Sequence, residues 1–195
     1  RVSRGLGDVY KRQVIGCGEV GRSSIHKSIQ IGASVTAIDI NEDILNELKD
    51  QYGEKITTLV SRSDSAINAI RSADLVIGAV LLPGRKPPIV ITEEDINSME
   101  RGSVIVDVAI DQGGCVEGVK PNTHSEPFEI RNGVIVSAIA NLPGAVPRTS
   151  SIEPSTNLQK YVDNLLVENW FEEYKNDKNL SPVSYTHLTL PTTPV

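Results

Sequence analysis

The chain predicts an α/β fold, a doubly wound parallel sheet with a long helix at its C-terminal end, on three observations. Short β-branched runs alternate with amphipathic stretches from Gln13 to Ala138, at the spacing of strand–helix–strand crossovers. A glycine-rich turn, Gly16-Cys17-Gly18-Glu19-Val20-Gly21, separates the first strand from the first helix. Ser103 to Cys115 (SVIVDVAIDQGGC) is an apolar run that stops abruptly in an acid, an amide and paired glycines. Such a run suits a strand buried on both faces, as a parallel sheet under helices requires.

Taken in order, Gln13 to Ile15 is a short strand and Glu19 to Ile31 a helix. Ser34 to Ile40 (SVTAIDI) reads as the second strand. The helix after it, near Glu42 to Gln51, has Ile44, Leu45 and Leu48 as its apolar positions. Lys55 to Val60 is a strand, Asp64 to Arg71 a short helix, and Asp74 to Val80 (DLVIGAV) a buried strand. A proline-rich loop covers Leu82 to Pro88. Thr92 is placed to cap a helix whose first turn holds Glu93, Glu94 and Asp95, the charge that a helix N-terminus favours. The Ser103 run is the fifth strand and Val134 to Ala138 the sixth. Leu158 to Lys175 (LQKYVDNLLVENWFEEYK) is a long amphipathic stretch, read as a helix that leaves the sheet.

Composition narrows the class. Hydrophobic residues at 39% supply a core, and 23% charged residues are ordinary for a globular chain. A net charge of −6 argues against nucleic acid as partner. No apolar run approaches the ~18–20 residues of a membrane span, so no membrane is expected. Cys17 and Cys115 match no metal-ligand spacing, and a reduced, cytoplasmic protein without a bound metal is the expectation. The two ends stand apart. Residues 1–13 (RVSRGLGDVYKRQ) have no periodicity, and Ser184 to Val195 (SYTHLTLPTTPV) has no charged side chain. The expected organisation is therefore a non-native or disordered 1–13, a dinucleotide-binding domain over 14–150, a helix over 151–181, and a second non-native or disordered end over 182–195.

The glycine turn carries the first chemistry. Gly16 permits the tight turn, Gly18 lets the backbone approach a pyrophosphate, and Gly21 lets helix and strand pack closely. The helix N-terminus adds free N–H groups and a partial positive charge. Asp39 closes the second strand at the distance where an acid accepts hydrogen bonds from an adenosine ribose. This combination is the Rossmann dinucleotide fingerprint. A carboxylate there repels a 2′-phosphate, and no Arg or Lys follows until Lys49, which favours NAD over NADP. Asp39 also suits a second role, capping the Glu42 helix.

Other positions are candidates of lesser weight. Asp111, just past the fifth strand, is either a loop-capping acid or part of an active site. Arg85 and Lys86 lie in a loop that would cover the nicotinamide half of a pocket. Asn141, after the sixth strand, suits a carboxamide or its own loop. His26 reads as structural, His124 as a loop histidine open to acid–base work, and His187 falls in the terminal tail.

Three motifs carry a resemblance: Gly78-Ala79-Val80-Leu81-Leu82-Pro83-Gly84, Gly102 to Cys115, and Ala140-Asn141-Leu142-Pro143-Gly144-Ala145-Val146-Pro147-Arg148-Thr149-Ser150. Over roughly Val14 to Leu180 the chain resembles the alanine dehydrogenase family, which is similar to the nucleotide-binding subunit of proton-translocating transhydrogenase. The Asp111-Gln112 pair favours the dehydrogenase side. The resemblance implies reversible NAD-dependent deamination of L-alanine to pyruvate and ammonia, with Asp111 as a catalytic acid. It implies cofactor contacts at Gly16, Gly18, Val20, Gly21, Asp39, Ser61, Val80, Leu81, Val108, Ala109, Ile110, Asp111, Ile139, Ala140, Asn141 and Leu142. It implies a homo-oligomer, a hexamer in the family, and a substrate-binding segment ahead of the dinucleotide domain that nothing before Val14 resembles. The chain is accordingly expected to be a fragment, with Leu158 to Lys175 as the helix returning to the missing segment. Ile44 stands where the family often has a basic residue. The alternatives are the transhydrogenase subunit and a non-catalytic NAD-binding module.

Overall fold

The computed structural model describes residues 10–61, 63–82 and 85–165. Seven strands form one sheet in the order β3-β2-β1-β4-β5-β7-β6. They are β1 (Lys11–Ile15), β2 (Ser34–Asp39), β3 (Ile56–Val60), β4 (Leu75–Gly78), β5 (Val104–Asp107), β6 (Glu129–Arg131) and β7 (Val134–Ser137). The helices are α1 (Glu19–Gln30), α2 (Glu42–Tyr52), α3 (Asp64–Arg71), α4 (Glu93–Ser98) and α5 (Pro147–Leu165). Between β1 and β4 the strand order reverses direction, the crevice where such sheets hold ligands.

Both faces of the sheet are buried. Val14 and Ile15 alternate across β1 and enter two separate cores. Val14 packs with Ile25, Val35, Ala37, Leu45 and Leu48 beneath α1 and α2. Ile15 packs with Ile38, Val76, Ile96, Ile105 and Val136 on the other face. Ile44 joins the edge of the first core as a half-buried side chain, so α2 spends that position on packing. Local signals start the helices as the sequence suggests. Thr92 and Asp95 form a reciprocal capping box on α4. Asn41 caps α2 by accepting from Asp43 N–H at 2.9 Å.

Three expectations change. The sheet is not wholly parallel: β6 pairs antiparallel with β7 through a two-residue Asn132-Gly133 turn. Both turn residues have positive φ, +46° and +84°, the geometry whose twist matches a right-twisted hairpin. β1 begins at Lys11, before Gln13, and Lys11 and Arg12 pair with Ser34 and Val35 of β2. The C-terminal helix begins at Pro147, well before Leu158, where the amphipathic pattern starts. Proline at the first helical position explains the start, since its missing N–H has no partner to lose there. The part of the expected amphipathic stretch after Leu165, with Trp170 and Phe171, lies outside the described residues, as do residues 1–9 and the terminal segment 182–195. The chain divides into two compact units. Arg1–Leu82 with Lys86–Leu142 holds the sheet, and Pro83–Arg85 with Pro143–Val195 holds α5.

Candidate functional site

The glycine turn after β1 has the shape its residues demand. Gly16 sits at φ +89°, its N–H donating to Ile38 O at 2.9 Å. A Cβ there would lie 2.6 Å from Ala79 O, so the turn is pressed against the chain leaving β4. A Cβ on Gly21 would overlap Gly16 O, which is how α1 comes to rest on the turn. Gly18 differs from both. It is the N-cap of α1, offers no side-chain cap, and a Cβ on it would meet nothing within 4 Å. Uncapped N–H groups beside open space fit a phosphate, and this is the geometry a dinucleotide's pyrophosphate needs.

Asp39 ties this turn to β2. Its Oδ2 accepts from Cys17 N–H at 2.7 Å and its Oδ1 from Asn41 N–H at 2.9 Å. The expected helix-capping role belongs instead to Asn41, two residues closer to α2. An ionised carboxylate has about four acceptor sites, so roughly half remain for ribose hydroxyls. Ser61 is fastened alongside, its N–H donating to Asp39 O at 2.8 Å. Gly16, Asp39, Ile40, Ser61, Val80 and Leu82 border one cleft of about 340 Å³, with Val90 and Pro88 among its other walls. Cys17 does not open into it. Its thiol is buried and donates to Ile38 O at 3.7 Å. Burial, reinforced by the Asp39 charge, pushes its pKa up to about 12 and keeps it protonated.

A second group forms beyond β5. After Asp107 the chain makes a 3-10 turn, Ile110–Gln112, that exposes Asp111. Both Asp111 oxygens accept from Asn141 N–H, at 3.0 and 3.2 Å. Asn141 is in the left-handed region at φ +52°, and an asparagine tolerates that better than most side chains. Two candidates 30 positions apart therefore meet at the carboxyl edge of the sheet. The neighbours are held by backbone bonds: Val108 N–H to Gly78 O at 2.8 Å, and Ala140 N–H to Asn122 O at 3.2 Å. Ile139 bridges to Asn122. Ile110 is buried, Val108, Ala109, Ile139, Ala140 and Leu142 are half-buried, and Val20 and Leu81 are exposed outside the cleft walls.

The remaining candidates separate. The Lys86 alkyl stem lies where a Gly113 side chain would be, 3.0–3.2 Å from that Cβ position, so it runs along the Asp111 turn. Arg85 is exposed. His26 bonds Tyr52 Oη at 3.1 Å and the Gln30 amide at 2.9 Å, a structural histidine on α1. His124 is exposed on its loop, and His187 lies outside the described residues. No cluster able to hold a metal ion occurs among the described residues, and no described helix is long and apolar enough to cross a membrane. Two residues escaped the sequence reading. Asn122 fixes the loop ahead of Asn141 by accepting from Ala138 N–H at 2.8 Å. Asp107, fully buried, accepts from the loop that carries Asp111. An acid inside an otherwise apolar strand was the available signal for the second.

Comparison with known proteins agrees with this geometry. An alanine dehydrogenase of Bacillus subtilis (strain 168) is 49% identical over 152 residues, covering 77% of this chain and 39% of its own. A solved L-alanine dehydrogenase superposes with a TM-score of 0.78 at 37% identity, over 89% of this chain and 48% of that one. A transhydrogenase from Sinorhizobium meliloti superposes with a TM-score of 0.69 at 27% identity, over 80% of this chain and 45% of that one. The chain thus spans less than half the length of each of these relatives. The family described as alanine dehydrogenase/PNT, C-terminal domain, matches residues 7–189, nearly the whole chain. This chain is a member of that alanine dehydrogenase/PNT C-terminal domain family.

Proposed function

We propose that the chain is the NAD-binding portion of an alanine dehydrogenase, which interconverts L-alanine with pyruvate and ammonia. The observation that supports this most is the meeting of Asp111 and Asn141 at the carboxyl edge, on the Asp-Gln turn. In this reading Gly16, Gly18, Val20 and Gly21, with the amino end of α1, take the pyrophosphate. Asp39 accepts from the adenosine ribose and rejects a 2′-phosphate by charge. Ser61 and Val80 border the adenosine half as walls of the cleft, and Leu81 stands exposed beyond them, open to a bound cofactor. Val108, Ala109, Ile110, Ile139, Ala140, Asn141 and Leu142 border the nicotinamide half. The nicotinamide, when bound, supplies a hydride acceptor for the substrate Cα. Asp111 then balances the positive charge that develops on the substrate nitrogen and orients a water toward its carbon. Contacts to the substrate carboxylate fall to the half of the relatives that this chain does not span. The same reading puts the protein in the cytoplasm, consistent with free, buried Cys17 and Cys115, and in a homo-oligomer.

Titration of the purified chain with NADH and NADPH, followed by nucleotide fluorescence, tests the cofactor assignment. Preferential NADH binding is expected, and equal or absent binding overturns it. A chimera joining this chain to the amino-terminal half of the Bacillus subtilis relative tests the reaction. It should reduce NAD in an alanine-dependent manner, and Asp111→Asn should lower that rate by about 100-fold or more. A chimera that folds, binds NADH and instead exchanges hydride with an NADP-binding partner would favour the transhydrogenase reading.

A further inference from the structure

Asp107 closes β5 with a carboxylate that is 0% exposed. A charge so placed is costly unless several donors meet it. Here every donor comes from the chain that follows. Oδ1 accepts from Ala109 N–H at 3.0 Å and from the Cys115 thiol at 3.4 Å. Oδ2 accepts from Cys115 N–H at 2.8 Å and Val116 N–H at 3.1 Å. The loop is therefore fastened where it leaves the strand and again where it returns. Between these points lies the Ile110–Gln112 turn, with Asp111 bonded to Asn141.

The packing leaves the carboxylate little choice of position. A Cβ on Gly114 would lie 2.9 Å from Asp107 Oδ2, and one on Gly78 would lie 2.5 Å from Cys115 Sγ. The fastening also reaches the cleft. Cys115 O accepts from Val90 N–H at 2.8 Å, and Val90 is one of the cleft walls. A loop that only needed to be closed would be served by its backbone bonds, Gly113 N–H to Ile110 O and Gly114 N–H to Ala109 O. Charge-assisted bonds from a buried acid add a fixed orientation, which a reacting carboxylate requires.

We propose that Asp107 is a positioning residue, whose buried carboxylate sets the Ile110–Gln112 turn so that Asp111 meets Asn141 at the site. Its catalytic meaning rests on the role proposed above for Asp111. The structural coupling stands apart from that role and is tested separately.

The test is Asp107→Asn in the full chain, which keeps the volume but turns one acceptor oxygen into a donor. Amide hydrogen exchange reads the result without any cofactor. The Asn141 amide should exchange faster by about tenfold or more, while the Gly16 and Ser61 amides keep their protection. Adding Asp111→Ala to Asp107→Asn should then accelerate Asn141 no further, because both changes remove the same bond. Faster exchange at Ala109, Cys115 and Val116 with Asn141 unchanged would reduce Asp107 to a local clamp and overturn the proposal. Additive effects of the two substitutions would overturn it as well. If Asp107→Asn does not fold, Cys115→Ala removes one donor and leaves the acid. It should move Asn141 exchange in the same direction by a smaller factor, and no change there counts against the proposal. Wild-type chain that binds no NADH would fail the proposed function and leave the exchange result to decide the coupling.

Discussion

Gly18→Ala separates what the glycine turn does for the fold from what it does for a ligand. Gly18 sits at φ −72°, ψ −162°, an extended conformation with negative φ that alanine adopts. A methyl group there meets nothing within 4 Å. Replacing glycine at such a position restricts the unfolded chain and stabilises by about 0.4–1 kcal/mol. For a domain of this size that is a rise of roughly 1–4 °C in melting temperature. The same methyl occupies the space where a pyrophosphate would approach the backbone. NADH affinity should therefore fall by about tenfold or more, even as the protein becomes slightly more stable. Gly16→Ala is the contrasting case, since its Cβ would press on Ala79 O at 2.6 Å and its φ is +89°. It should lose stability and binding together. Thermal melts and NADH fluorescence titrations on the two variants provide the assay. Unchanged NADH affinity in Gly18→Ala would refute the placement of the pyrophosphate. A loss of stability above about 1 kcal/mol would refute the claim that the space is open.

Other perturbations follow the same logic. Gln13 is 3% exposed on β1 and its Oε1 has no hydrogen-bond partner among the described residues, so Gln13→Met should stabilise by about 1–3 kcal/mol in urea denaturation; a lower midpoint would contradict this. Asp39→Asn keeps the acceptor toward one backbone N–H but removes the charge, so the preference for NADH over NADPH should drop by about tenfold; an unchanged ratio would reject the charge argument. The Cys17 pKa is raised from 9.0 to about 12, so the folded state holds a proton that the unfolded state releases between those values. That stabilisation is complete below pH 9.0 and is lost as pH rises toward 12, at about 1.4 kcal/mol per pH unit. Cys17→Ala should flatten the alkaline side of the stability profile, and an equal slope in the variant would disprove the assignment.

Much of the fold was legible because its signals are local. Short β-branched apolar runs mark the strands, and the Thr92 capping box marks α4 without any tertiary knowledge. The β6–β7 hairpin was legible too, since Asn132-Gly133 between EIR and VIV is the two-residue turn signal. It departs from the parallel sheet expected because a hairpin turn sets strand direction locally, whatever the crossovers elsewhere do. Gly16, Asp39, Ser61 and Val80 meet in one cleft because strand order puts the carboxyl ends of β1, β2, β3 and β4 side by side. The Asp111–Asn141 contact is of another kind. It joins two loops, and loop geometry follows from buried anchors such as Asp107 and Asn122 rather than from periodicity. Asp39 shows the remaining limit: its two carboxylate oxygens serve two neighbouring amides, and sequence spacing does not say which of Asp39 and Asn41 will cap the helix.

The antiparallel strand β6 also decides where this sheet is vulnerable to other chains. An open sheet has two edges, each a row of unpaired backbone groups that can recruit a foreign strand. On one side the edge is β6, only three residues long and carrying Glu129 and Arg131, which are bound to each other at 2.7 Å. A template that short and that charged is a poor seed for growth. The opposite edge is β3, five residues of ITTLV without a charge. Self-association through strand addition would therefore be one-sided, and a lysine placed on the outer face of β3, at Thr57, is where resistance to aggregation would be won.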